Sequence, residues 1–128
     1  MKQPFTLNKK KIIVPAEIKG ITATREFDFI LDTGASKSII DESVAVALGF
    51  DLNRLQTERL TTVGGGKNSK ILKLPKLCLC GRDMVNFEVS VLEFPYQITY
   101  FADGLIGMDF LLKFKEFKIN FEEKIIEI

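Results

Sequence analysis

Ile30-Leu31-Asp32-Thr33-Gly34-Ala35-Ser36 is the stretch on which the reading of the chain turns. An ionisable acid closes an apolar strand and is followed at once by a hydroxyl and a glycine. The glycine frees the backbone to turn sharply and admits a second chain or a ligand at close range. Thr33 supplies a hydroxyl that can hydrogen-bond its neighbours and is expected to fix how the carboxylate points. The plainer reading is an Asp-Gly-type turn between two strands. The apolar pair in front and the small residue behind make the pattern rarer, about one chain in a thousand of this length by chance.

Upstream, Arg25 to Leu31 alternates, with Phe27, Phe29 and Leu31 on one face and Glu26 and Asp28 on the other. Before it, Lys11 to Ile18 is rich in Ile and Val but carries Pro15, which lacks a backbone donor and suits an edge strand or a bulge. Downstream, Ile39-Ile40 returns to strand character. Asp41 is then a helix N-cap, with Val44, Ala45 and Leu48 at helical spacing and Gly49 at the left-handed C-terminal position. Leu60 to Val63 and Lys70 to Leu74 flank the run Gly64-Gly65-Gly66-Lys67-Asn68-Ser69, which predicts a hairpin. Leu77 to Leu79, a turn at Gly81-Arg82-Asp83 and the alternation of Phe87, Val89 and Val91 extend the β pattern.

Glu93 to Asp103 reads as irregular, with Asp103-Gly104 a turn. Gly104-Leu105-Ile106-Gly107 follows, and Asp109 is expected to cap a short helix through Phe114. The end predicts a hairpin, Phe117 to Phe121 and Ile125 to Ile128, turning at Glu122-Glu123. About nine short strands and one convincing helix predict a mostly-β fold, a small closed β-barrel with one or two short helices.

With 128 residues the chain suits one domain, residues 11–128 after an N-terminal extension of residues 1–10. Eighteen Lys plus Arg against seventeen Asp plus Glu leave a net charge of +1, which calls for no nucleic acid. The count of zero His removes Ser-His and Cys-His nucleophile pairs and histidine zinc sites together. Cys78 and Cys80 point to opposite faces of a strand, so neither a mutual disulfide nor a zinc site is expected. No metal or cofactor is called for. Gly66-Lys67 hints at a phosphate loop, but Asn68 stands where Ser or Thr belongs and Thr61 where the first Gly belongs. The start, Met1 to Leu7, lacks the apolar stretch of a signal peptide, and no window approaches a membrane span. A cytoplasmic protein with no membrane partner is the expectation, although a leader already removed would leave no trace.

Residues 30–36 resemble the active-site motif of the aspartic proteases, and one Asp-Thr-Gly in so short a chain resembles the retropepsins, the half-size members. Gly104 to Gly107 with the following helix is similar to that fold's second signature, and the hairpin at Val63 to Lys70 sits where the family keeps its flap. The helix from Asp41 looks more like cellular and bacterial retropepsin-like proteins. The resemblance spans roughly residues 11–128. It implies an acid-protease β-barrel and a homodimeric endopeptidase acting on peptides, with Asp32 from each of two chains as catalytic residue. It further implies that Thr33 and Gly34 support the crossing at the two-fold axis. Ala35 would line the substrate groove, and Val63, Gly64, Gly65 and Gly66 would close over it. A non-catalytic module of the same fold, dimerising or binding peptides, is the competing expectation.

Overall fold

Two prolines mark how the main sheet of this protein is put together. The computed structural model describes residues 1–62 and 65–128. In chain order it contains β1 (Lys2–Pro4), β2 (Thr6–Asn8), β3 (Lys11–Lys19), β4 (Thr24–Leu31), β5 (Ile39–Asp41) and helix α1 (Glu42–Ala47). Then come β6 (Gln56–Thr62), β7 (Gly65–Leu79), β8 (Arg82–Leu92), α2 (Tyr96–Thr99), β9 (Gly104–Ile106), α3 (Met108–Leu111), β10 (Lys118–Asn120) and β11 (Ile125–Glu127). Eight strands form one sheet in the order β2-β3-β4-β9-β5-β8-β7-β6, and β3 also pairs with β7. On that edge β3 pairs with β2 through Lys11–Ile13 and with β7 through Glu17–Lys19, so Pro15 falls between the two partners. Along β7, β6 occupies residues up to Ile71 and β3 takes over at Lys76, with Pro75 in between. A residue without an N–H donor costs nothing where a strand changes partner. Among the described residues the sheet is partly ring-like, with the short β3–β7 contact joining strands that lie apart in its order.

The mostly-β expectation holds. Its differences from the sequence pattern are local. The two runs Lys70 to Leu74 and Leu77 to Leu79 are parts of the single strand β7, whose ladder with β8 skips the Pro75 step. The β7–β8 turn sits at Cys80-Gly81, both with positive φ (52° and 72°), one residue earlier than the spacing suggested. Two successive residues in that region match the right-handed twist of the strands they join. Residues 1–10, read as an extension, contribute β1, which joins β11 and β10 in a three-stranded sheet, and β2, which flanks β3.

Packing follows the alternation. Val14, Phe29, Leu74, Leu77, Ile106 and Phe110 are at most 1% exposed and share one core. Helix α1 closes one side of it, since Val44, Ala45 and Leu48 are buried. Asp41 caps it as expected, accepting from the Ser43 amide at 3.0 Å, and Gly49 follows with φ of 92°. The Asp41 carboxylate also accepts the Phe94 amide at 2.8 Å, which anchors the far end of β8. Both thiols are free. Cys80 is buried, which pushes its pKa up to about 11; Cys78 is raised by its hydrogen bond with Asp83 and then by burial.

The stretch expected to be irregular contains α2, started by Pro95, whose φ of −56° is already helical. With it the described residues hold three short α-helices, where one or two short helices were expected. Ile98, Phe101 and Leu105 pack here against Ile13, Ile30 and Ala102 on the outer face of β4. Asp103 is more than a turn residue. Its N–H donates to the Asp28 carbonyl at 2.7 Å, its carboxylate accepts the Asp28 amide at 2.9 Å, and its carbonyl accepts the Asp41 amide at 2.9 Å.

Burial, then the nearby Asp28 and Asp41 carboxylates, push the Asp103 carboxyl above its ordinary value; the Asp28 amide and Arg25 oppose this. A raised acid binds its proton more tightly in the folded chain, so stability falls as pH rises from about 4 through the folded value. Asp103→Asn keeps an acceptor for the Asp28 amide and removes the charge. Urea unfolding at pH 4 and pH 7 is expected to show the variant gaining on the natural chain toward neutrality. A constant difference across that interval would contradict the assignment.

Candidate active site

The turn after β4 owes its shape to a strand that arrives from seventy residues later. β9 runs parallel to β4, pairing Leu31 with Ile106, and antiparallel to β5, pairing Ile39 with Leu105. It thus separates the two strands that residues 32–38 connect, and that connection has to loop over the end of β9. Asp32 starts the loop with its N–H donating to the Ile106 carbonyl at 2.9 Å. Its side chain is half-buried, and Oδ1 accepts the Gly34 N–H at 2.9 Å, which fixes the plane of the carboxylate. The Asp32 carbonyl accepts the Ala35 N–H at 3.2 Å and closes the turn. Thr33 and Gly34 lie exposed at its apex, and Ala35 is half-buried. The four residues singled out from the motif are therefore brought together on one rigid turn.

The rest of the loop is clamped to the β9–α3 junction. The Ala35 carbonyl accepts the Met108 N–H at 2.8 Å, and the Ser36 carbonyl accepts the Asp109 N–H at 3.2 Å. Gly107 lies under this loop. A Cβ there would stand 2.7 Å from the Ala35 carbonyl oxygen and 2.9 Å from Lys37 backbone atoms, so the loop tolerates no side chain at that point. Ser38 is fully buried, and its Oγ accepts the Gly107 N–H at 3.0 Å while donating to Asp109 Oδ1 at 2.7 Å. The Ser38 N–H donates to Asp109 Oδ2 at 2.9 Å, and the Phe110 N–H reaches Oδ1 at 2.9 Å.

Asp109 is accordingly not the helix cap expected of it. Gly107 holds the N-cap position of α3, which is shorter than expected and ends at Leu111. Asp109 sits inside the first turn, with both oxygens engaged by three donors that hold the loop. Ser38 is the site residue that sequence reasoning missed; a serine before an apolar pair carries no local signal, and its partner lies 71 positions away.

Of the four residues expected to cover a substrate, Val63 and Gly64 lie outside the described residues. Gly65 and Gly66 open β7 and pair with Thr62 and Thr61 of β6, so they stand on the arm of the expected hairpin. The Arg59 guanidinium lies across Gly66, where a Cβ would come within 2.6 Å of its Nε. Among the described residues, no three His, Cys, Asp or Glu side chains gather as metal ligands, and no helix is long and apolar enough to cross a membrane.

Comparison with known proteins agrees with this geometry. The sequence model of the aspartyl protease family matches residues 14–110, from β3 to α3. An uncharacterized protein of Rickettsia prowazekii is 32% identical over 92 residues, which are 72% of this chain and 38% of that protein. The chain thus spans well under half the length of that curated relative. The crystal structure of a retropepsin-like aspartic protease from Rickettsia conorii superposes with a TM-score of 0.72 at 24% identity, covering 98% of this chain and 86% of that one. That likeness establishes the fold.

Proposed function

Because the chain belongs to the aspartyl protease family and is retropepsin-like, we propose that it is an aspartic endopeptidase whose active site forms between two copies. The observation that carries this reading is a count of available carboxylates. Each chain presents one Asp-Thr-Gly turn, and the two acids flanking the second motif are engaged elsewhere, Asp103 by the Asp28 amide and Asp109 by Ser38 and Phe110.

Peptide hydrolysis by carboxylates needs one group to take a proton from water and another to give one to the substrate carbonyl. One Asp32 holds one protonation state at a time. Two of them about 3 Å apart across a two-fold axis do not both ionise, so the pair shares a proton and offers both functions at once. The ionised member draws a proton from water, whose oxygen attacks the scissile carbonyl carbon as the protonated member donates to the carbonyl oxygen. Collapse of the tetrahedral species breaks the C–N bond as the proton taken from water passes to the leaving amine and the hydroxyl formed from the carbonyl returns its proton to the Asp32 that gave it, restoring the shared-proton pair. Exposure of Thr33 and Gly34 supports this reading, because the turn apex is open to a second copy. In the same scheme Ala35 lines the groove, and residues 63–66 supply β-type hydrogen bonds to an extended substrate.

The test combines sedimentation velocity, peptide hydrolysis from acid to neutral pH and titration with a statine-type transition-state analogue. The expected result is a dimer that binds one inhibitor per two chains and turns over peptides. A monomer that cleaves peptides would overturn the shared site. A dimer that binds peptides but never hydrolyses them would assign the fold to a binding module.

A further inference from the structure

Among the described residues β6 is the edge of the main sheet, and its one strand partner there is β7. A second attachment reaches it from the catalytic turn. Lys37, one residue before the clamped Ser38, places its ammonium 2.8 Å from Glu58 Oε1 on β6 and 3.6 Å from Glu88 Oε2 on β8. The Lys37 side chain is only 20% exposed, so this ion pair is better shielded than the protein's other salt bridges, such as Lys118–Glu116 at 66% and 65%. Both ends are anchored. Lys37 is flanked by Ser36, whose carbonyl accepts the Asp109 N–H, and by Ser38 with its bonds to Asp109. The Glu58 carbonyl receives the Ser69 hydroxyl at 3.5 Å across the β6–β7 ladder. Glu88 stands near the point where the Ser38 carbonyl accepts the Ser90 N–H at 3.1 Å.

We propose that Lys37 is a positioning residue that latches the β6–β7 hairpin to the loop that carries Asp32, so that the hairpin keeps a fixed position relative to that loop. Its value for turnover rests on the peptidase reading above; its effect on the hairpin does not. An edge strand joined to the sheet on one side opens locally at low cost. A tie from its outward neighbour to a rigid turn suppresses that opening, and the closed arm spends less of the substrate's binding energy on ordering. Glu88 draws the ammonium toward β8, which holds Lys37 over the junction of the turn and the arm.

The experiment compares hydrogen–deuterium exchange of the β6 and β7 amides in the natural chain, Lys37→Met, Lys37→Arg, Glu58→Gln and the charge reversal Lys37→Glu/Glu58→Lys, made together with Glu88→Gln so that the new acid at position 37 meets no second carboxylate. Lys37→Met and Glu58→Gln are expected to speed exchange in the hairpin about two- to fivefold, the range for a partly shielded ion pair. Lys37→Arg and the charge reversal are expected to bring it back toward the natural rate, and core amides of β4 stay unchanged throughout. High salt is expected to loosen the natural hairpin and leave Lys37→Met unaffected. In peptide hydrolysis the same two neutral variants are expected to raise KM more than they lower kcat. Equal hairpin exchange in the natural chain and Lys37→Met would overturn the latch. So would a charge reversal that folds and stays as loose as the single variants; if it does not fold, Lys37→Arg decides. A chain that cleaves no peptide under any condition would sink the peptidase reading, while the exchange data would still judge the latch.

Discussion

Asp32→Asn is expected to abolish peptide hydrolysis, a loss of about 10³-fold or more, since the group that takes and returns the proton is gone. The fold is expected to survive. An asparagine Oδ1 accepts the Gly34 N–H as the carboxylate does at 2.9 Å, and the half-buried position gains no new volume. Thermal unfolding of the variant is therefore expected to match that of the natural chain. In the proposed dimer the variant is expected to associate at least as tightly, because two amides meeting across the proposed axis would lack the repulsion of two acids. The measurement pairs hydrolysis of a peptide library with sedimentation at several concentrations. Hydrolysis that persists in a purified, folded Asp32→Asn chain would end the aspartyl account.

Asp109→Ala is expected to act on stability first. Removing this carboxylate strands the Ser38 N–H, the Ser38 hydroxyl and the Phe110 N–H, and Ser38 has no exposure through which water reaches it. Unmade hydrogen bonds to a charged acceptor place the cost at about 3 kcal/mol, which lowers Tm by roughly 10 °C in a domain of this size. Asp109→Asn keeps the Oδ1 acceptor for the hydroxyl and turns an NH2 toward the Ser38 amide, so it is expected to recover only part of that loss. Activity falls in both because the turn carrying Asp32 loses its clamp. Urea unfolding of the two variants alongside peptide turnover separates this from direct participation. An Asp109→Ala chain with natural stability and no activity would make Asp109 a catalytic group and remove the need for a second copy.

The parts of the fold visible in the sequence are those whose cause lies within a few residues. The alternation of Phe27 and Phe29 gives β4, the Asp41 cap and Gly49 stop give α1, and Ile125 to Ile128 returns beside Lys118–Asn120 as a hairpin. Asp32, Thr33, Gly34 and Ala35 were legible for the same reason, because a turn is a local object. Proline was legible only in part. Its missing donor marked Pro15 as unfit for a central ladder, but the changeover from β2 to β7 that tolerates it depends on two other strands. Pro75, between the expected runs Lys70 to Leu74 and Leu77 to Leu79, lies likewise within one long strand at the changeover from β6 to β3.

From the amino-acid order alone came the strand content, the capped helix and the acid turn, since periodicity, caps and turn chemistry act between near neighbours. Tertiary structure alone decided that β9 enters between β4 and β5, that Asp109 reaches back to Ser38 instead of holding the N-cap position, and that Lys37 reaches Glu58. Those contacts join positions from 21 to 75 residues apart. Many chain segments offer an amide or a charge to such a partner. Only the burial of one common core selects which of them meet.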